Sequence, residues 1–243
     1  MEAFKKLLKG RNKLIFLDFE GTQFSHEIIA VGAVKIDCDE NGLLVNKDSY
    51  STFKRYVKSY GPIGRIVANM TSIDNQILKE QGITFEQMLN EFENFIGEDF
   101  DRTAFIVFGS NDVKMIIDSI EQSNPTNKEI GYSICKKTID FLSFISQYVK
   151  DDNGNNYSLT NYLRVFGKES YGKSHDPLND SIDLMNLYDA LMTQKDIIYK
   201  EYLHVLKMQK IFPQPVKKIL NKLLNDENVS PKDFKKEITK YLE

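Results

Sequence analysis

Cysteine is scarce in this chain, tryptophan is absent, and no apolar run approaches the ~20 residues that cross a bilayer. Cys38 and Cys135 stand far apart without a Cys-x-x-Cys spacing. They cannot supply a zinc cage, and both are expected as free thiols in a reducing, cytoplasmic setting. The opening MEAFKKLLKGRNK holds no hydrophobic core of the signal-peptide kind, so no membrane association is expected. A net charge of −3 excludes bulk attraction to a polyanion; a nucleic-acid partner has to be held by a local patch or through metal ions. What is present is 243 residues, 41% hydrophobic, with 16 Phe and 12 Tyr. That suffices for one α/β domain of about 180–200 residues and an appendage. The charge is uneven: from Lys195 onward eleven Lys face seven Asp or Glu, so a basic tail follows an acidic body. The expected division is a domain over 1–195 and a helical extension over 196–243.

The most informative stretch is Leu14-Ile-Phe-Leu-Asp18-Phe-Glu20-Gly-Thr22. Its apolar run reads as a buried strand, and in an extended chain residues two apart share a face. Asp18 and Glu20 therefore project together from the strand tip. Two like charges in a half-desolvated place raise each other's pKa and destabilise the fold unless a cation lies between them.

The rest of the pattern alternates. Only six residues separate Glu20 from the β-rich run 27–37, too few for a crossover helix, so the two strands are expected to be antiparallel. Asp39-Glu-Asn-Gly42 is a hairpin signal leading to a third strand near 49–57. Gly61-Pro-Ile-Gly64 breaks the pattern, helical spacing starts near Ser72, and Thr84 opens a helix to Ile96 with a capping-box spacing. Ala104-Phe-Ile-Val-Phe-Gly109 reads as a doubly covered parallel strand followed by a helix from Asp112 to Ile120. A strand near 134–139, a helix over 141–150 behind the N-cap Asp140, a helix over 158–165 and a last domain helix over 176–192 complete the body. Three short helices punctuated by prolines fill the tail. The expected class is α/β: a mixed five-stranded sheet, three antiparallel then two parallel strands, flanked by helices.

Three further residues align with the opening pair. Asp112 follows the apolar strand where ligands collect in open α/β sheets. His175 lies in the loop before the last domain helix and Asp180 one turn into it, so both can face one pocket. The order is D-x-E, then D, then H-x4-D.

Here the chain resembles the DEDDh group of 3′→5′ exonucleases, of the RNase T and DNA polymerase III epsilon superfamily, over about residues 12–192. Asp18-Phe-Glu20-Gly-Thr22 matches the D-x-E-x-T motif, FIVFGSNDVKMI with Asp112 the second, and His175 to Asp180 the third. His26-Glu-Ile-Ile29 looks like the Eri-type and histone-mRNA 3′-end branch, which inclines the substrate toward RNA. Ala30 and Pro177 depart from common family residues without touching an expected metal ligand.

The resemblance implies an RNase H-like fold and hydrolysis of single-stranded RNA or DNA from its 3′ end with two divalent cations, Mg²⁺ or Mn²⁺. Phosphodiester hydrolysis needs an activated water and stabilised charge on the attacking and leaving oxygens, for which four carboxylates around two such ions are suited. Asp18 is assigned as the ligand shared by both cations, Glu20 and Asp180 as ligands of the first, and Asp112 as a ligand of the second. His175 is the general base, since an imidazole of pKa about 6.5 can take a proton from the attacking water. Gly21 and Thr22 are expected beside the terminal nucleotide, and Phe24 is a candidate for stacking on it. Phe53-Lys-Arg-Tyr-Val-Lys-Ser-Tyr60 reads as a strand-tracking surface or a solvated edge, and Lys168 and Lys173 as phosphate contacts or solvated loop. The tail can cap the core, grip distant nucleotides or pair two chains into a homo-oligomer.

Two other classes stay in view. FLDFEGT and GSNDVKMI loosely match haloacid-dehalogenase-type phosphatases, with Asp18 as nucleophile. That reading leaves His175 and Asp180 unused and is at odds with a hairpin straight after the first motif. A non-catalytic nucleic-acid-binding module is the other, although a binder has no use for clustered, mutually repelling acids.

Overall fold

The computed structural model describes residues 2–242. A helix, α1 (Glu2–Leu8), precedes the first two strands, β1 (Lys13–Gly21) and β2 (Ile28–Asp37), and a third, β3 (Ser51–Tyr56). Three helices follow: α2 (Arg65–Thr71), α3 (Asn75–Gln81) and α4 (Phe85–Ile96). Then come β4 (Thr103–Val107), α5 (Asn111–Ser123), α6 (Lys128–Lys137), β5 (Thr138–Asp140), α7 (Phe141–Ile145), α8 (Leu159–Val165) and the long α9 (Pro177–Thr193). The extension is α10 (Lys195–Met208), α11 (Gln214–Leu224) and α12 (Pro231–Leu242). Among the described residues no helix is long and apolar enough to cross a membrane.

The strands form one sheet in the order β3-β2-β1-β4-β5, with β1, β2 and β3 antiparallel and β4 and β5 parallel to β1. This is the mixed sheet expected from the sequence. Alternation along β1 divides the core in two. Leu14 and Phe16 face the layer built by α1, α7, α8 and α9, whereas Ile15, Leu17 and Phe19 face the layer of α4, α5 and α6. Asp18 and Glu20 continue the even series, so the same alternation that buries Leu14 and Phe16 turns both acids toward α9.

Local signals are realised where the chain chemistry is strong. Thr84 and Gln87 close a reciprocal capping box on α4 (3.1 and 2.9 Å), and Ser158, Asp140 and Asp176 cap α8, α7 and α9. Three expectations are corrected. The strand near 134–139 shrinks to 138–140, because Gly131 and Ile134 turn inward toward Ile116 and Ile120 on α5 and keep α6 helical to Lys137. The helix over 141–150 ends at Ile145, beyond which hydrogen bonds from Tyr148 and Val149 to the Ile145 carbonyl close a turn instead. Helix begins at Arg65 rather than near Ser72, which terminates α2 in the left-handed conformation. The N-terminal α1 was not anticipated; its Phe4 packs edge-on to Phe144 and Tyr188.

Candidate active site

The site begins where the pairing of β1 with β4 stops. That parallel pairing ends at Phe16–Ile106, two residues before Asp18, while β1 continues against β2 to a register shift at Glu20/Gly21. Beyond the end of the ladder the N–H of Phe19 donates to Oδ1 of Asp112 at 3.2 Å. Asp112 lies in the first turn of α5, is 6% exposed, and thus takes the place of a strand partner.

α9 brings the third motif. Gly32 sits opposite Asp18 in the ladder, and a Cβ there would overlap the backbone of Pro177 and Leu178. The hydroxyl of Ser181 donates to the Gly32 carbonyl at 2.8 Å. The first turn of α9 therefore rests on bare sheet backbone, and Asp180 comes down beside Glu20. Glu20, His175 and Asp180 each offer a ligand atom, and the three atoms lie within 4.8 Å of one another. His175 Nδ1 is 3.9 Å from Glu20 Oε1, and its backbone N–H donates to Asp180 Oδ2 at 3.0 Å. Asp18, Glu20, Asp112, His175 and Asp180 all line one cleft of about 410 Å³, together with Ser158, the N-cap of α8, and Thr160 in its first turn.

Electrostatics set this cleft apart. Burial, then repulsion from Asp180, Asp112 and Asp176, pushes Glu20 up to about 8. Asp18 is held well above the usual carboxylate range by burial and by Asp112, Asp180 and Glu20. Burial lifts Asp112 to about 7 against the stabilising Phe19 N–H, and lifts Asp180 to about 6 against the His175 N–H and ring. Among the described residues no Lys or Arg pairs with any of the four; the neighbouring Asp176 takes Lys54 at 2.5 Å. Hard oxygen donors that are crowded, desolvated and short of cationic partners suit a divalent ion such as Mg²⁺ or Mn²⁺.

A pH dependence follows with a definite sign. Each of these acids binds its proton more tightly folded than unfolded, so unfolding releases protons between about pH 4.5 and pH 8. In chelator, their contribution to stability is fully present below about pH 4 and is lost as pH rises toward 8. We expect thermal unfolding of chelated protein to drop by roughly 5 °C or more from pH 5 to pH 8, and Mn²⁺ to restore more at pH 8 than at pH 5. A chelated midpoint flat across that range contradicts the clustering.

Two buried carboxylates that sequence reasoning missed hold the rim. Glu27 is 4% exposed and accepts from Ser25 Oγ (2.6 Å) and from the N–H groups of Tyr60 (2.7 Å) and Gly61 (2.8 Å), tying the β1–β2 turn to the segment before α2. Asp183, one turn beyond Asp180 and 1% exposed, accepts from Ser170 Oγ and from the Tyr171 N–H at 2.7 Å. It anchors the 167–174 loop that carries His175, whose own backbone is left-handed (φ 63°). The signal was present as the i, i+3 spacing of two acids on α9, but an acid on a helix is ordinarily a solvated one.

The residues expected at the substrate end lie apart from the cleft lining. Thr22 is buried, with its hydroxyl hydrogen-bonded to Ser25 (2.8 Å) and accepting from the Glu27 N–H (3.0 Å). Gly21 packs against Met115, leaving no room for a Cβ beside its sulfur. Phe24 is 72% exposed on the turn between β1 and β2. Of the basic strand β3, Lys54 pairs with Asp176 and Arg55 with Glu91 at 2.6 Å, so both are engaged within the fold. Lys173 donates to Ser72 at 2.6 Å, and Lys168 is exposed.

A model of the RNase_T exonuclease family matches residues 15–188. The nuclease domain of 3'hExo, a DEDDh family member solved with rAMP, superposes with a TM-score of 0.60 at 19% identity, over 77% of this chain and 94% of that one. Cell-death related nuclease 4 gives 0.57 at 17% identity, over 77% and 65%. A 3′-exonuclease solved in recognition of the histone mRNA stem-loop gives 0.58 at 18%, over 76% and 83%. No curated protein matches in sequence. At these identities the superpositions establish the RNase H-like exonuclease fold, and the family assignment rests on the match over most of the chain. With its motif residues gathered in one cleft of that fold, the chain belongs to the RNase_T exonuclease family.

Proposed function

We propose that the protein is a divalent-metal-dependent 3′→5′ exonuclease acting on single-stranded RNA or DNA, with RNA favoured by the His26-Glu-Ile-Ile29 likeness. The observation that carries the proposal is the convergence of Asp18, Glu20, Asp112, Asp180 and His175 in one cleft of an exonuclease-family domain. The four carboxylates would hold two Mg²⁺ or Mn²⁺ ions, with Asp18 shared, which supply Lewis-acid stabilisation of charge on the attacking and leaving oxygens.

The chain's own residues do the rest. His175, 46% exposed at the cleft mouth, takes the proton of the attacking water on the ring nitrogen that does not face Glu20. Water oxygen bonds to phosphorus and the P–O3′ bond breaks, which leaves a 3′-hydroxyl on the shortened strand and releases a nucleoside 5′-monophosphate. Asp180 holds the backbone of His175, and Asp183 holds the loop before it, so the base is presented at a fixed height over the acids. Phe24 offers an exposed ring for the terminal base; Gly21 and Thr22 shape the turn that carries it. The structure 3'hExo was solved with rAMP, which supports a nucleotide in the corresponding cleft.

The test is a singly labelled oligonucleotide with Mg²⁺ or Mn²⁺, with and without chelator. Stepwise shortening from the 3′ end, stopped by chelation and slowed by a 3′-phosphate but not by a blocked 5′ end, is the expected result. Products that shorten from the 5′ end overturn the polarity. His175→Ala is expected to lower kcat on the order of 10²–10⁴-fold with little change in KM. A variant as fast as wild type removes His175 from the chemistry.

A further inference from the structure

The extension after α9 lies outside the family match, which ends at residue 188. It is docked to the body rather than free of it. Ile198 of α10 is buried in the core layer of α9, Tyr202 packs against Tyr148 with ring centroids 5.3 Å apart and planes tilted by 54°, and His204 lies 3.3 Å from Asp152. The turn at Asp152 leads directly to Ser158, in the wall of the cleft. α11 and α12 stack outward from α10 in turn.

Charge is sorted on the outermost helix. Both acids of α12 are spent on α11, Asp233 with Lys222 at 3.5 Å and Glu237 with Lys218 at 3.2 Å. Asp233 is pushed down to about 2 by its bonds from Ser230 and by Lys222, so it stays ionised and keeps that face engaged. Lys232, Lys235, Lys236 and Lys240 are all exposed and, among the described residues, form no ion pair. Lys232, Lys236 and Lys240 repeat every four residues, which sets them about one helical turn apart along the axis. Such a row matches the spacing of successive phosphates on an extended strand. Tyr241, 57% exposed, stands beside its last member as a stacking surface.

We propose that α12 is a second nucleic-acid contact, holding the phosphates of a strand whose 3′ end occupies the cleft. This rests on the nuclease reading of the cleft and adds to it a length dependence. The body, acidic outside the metal cluster, offers a long polyanion little purchase; the tail supplies the local patch that an overall negative chain needs. A membrane surface is disfavoured because Phe234 and Ile238 of α12 are partly covered, at 39% and 37% exposed, and only Tyr241 and Leu242 at the helix end stand largely open, at 57% and 78%.

The experiment compares wild type with the triple variant K232Q/K236Q/K240Q, using a 30-nucleotide and a four-nucleotide single strand. In chelator, the affinity of the 30-mer is read by fluorescence anisotropy across a salt series; with Mg²⁺, KM and kcat are read for both strands. Loss of three phosphate contacts is expected to reduce the slope of log K against log salt by about 2, from roughly 0.7 per contact. KM for the 30-mer is expected to rise about tenfold with kcat unchanged, while KM for the four-mer shifts less than twofold. An unchanged slope, or equal effects on both strands, overturns the proposal, as does lost binding to phosphatidylserine vesicles with strand binding intact. The two readings separate cleanly. If wild type shortens the four-mer and the slope does not move, only the tail contact fails. If neither strand is shortened but the slope moves, the contact stands and the nuclease reading fails.

Discussion

Asp18→Asn is expected to abolish metal-dependent cleavage, by about 10³-fold or more, while making the chelated protein more stable at pH 8. The two effects share one cause. Asp18 is desolvated at the end of β1 and faces Asp112, Asp180 and Glu20, so its charge opposes folding whenever no cation offsets it. Asparagine keeps the shape and one oxygen but removes the charge, which relieves the repulsion. The same removal takes away the ligand assigned to both cations, worth several kcal/mol of charge stabilisation in the transition state. Thermal unfolding in chelator at pH 8 should show a higher midpoint for the variant, and Mn²⁺ should raise that midpoint less than in wild type. Wild-type turnover, or an undiminished Mn²⁺ response, sinks the metal assignment. A variant that simply unfolds is told apart by circular dichroism before the metal is added.

Gly32→Ala is expected to cost about 3 kcal/mol or more and to lower kcat on the order of 10²-fold, although Gly32 carries no functional group. Its added methyl would occupy the place of the Pro177–Leu178 backbone, and backbone cannot swing aside as a side chain can. The first turn of α9 must lift from the sheet, and it carries Asp180 and the His175 attachment away from Glu20. A displacement of about 1 Å at a catalytic group is enough for such a loss in rate. The midpoint in chelator should fall by roughly 10 °C. An alanine variant with wild-type midpoint and wild-type turnover would show that α9 does not rest on the sheet at this point. Ser181→Ala, which deletes the hydroxyl shared between the Gly32 and Pro177 carbonyls, each at 2.8 Å, serves as the milder companion.

How much of the site was legible depends on whether the determining contact is local. Asp18 and Glu20 were readable because strand alternation is a property of consecutive residues, and Leu14 and Phe16 announce which face is covered. His175 and Asp180 were readable for the same reason, as a loop position and a first-turn position flanking Pro177. The caps Thr84, Asp140 and Ser158 also act within four residues of chain. The failures lie at longer range. Whether Ile134 belonged to a strand or a helix was settled by α5 packing onto α6, and neither partner announces the other. α1 is stabilised by Phe4 meeting Phe144 and Tyr188, far along the chain. Thr22, expected near the substrate, instead completes the turn that Glu27 fastens to Tyr60 and Gly61.

The amino-acid order alone singled out the side chains proposed to carry the chemistry, since motif spacing and two-residue alternation are local and survive without a fold. Only the folded chain decided that they meet. Gly32 admits α9 onto the sheet 149 positions away from its Ser181 partner, Asp112 takes the N–H that β4 leaves free at Phe19, and Asp183 sets the loop that presents His175. Those contacts join parts of the sequence with no mutual signature, because close packing depends on shapes brought together from a distance rather than on any pattern along the chain.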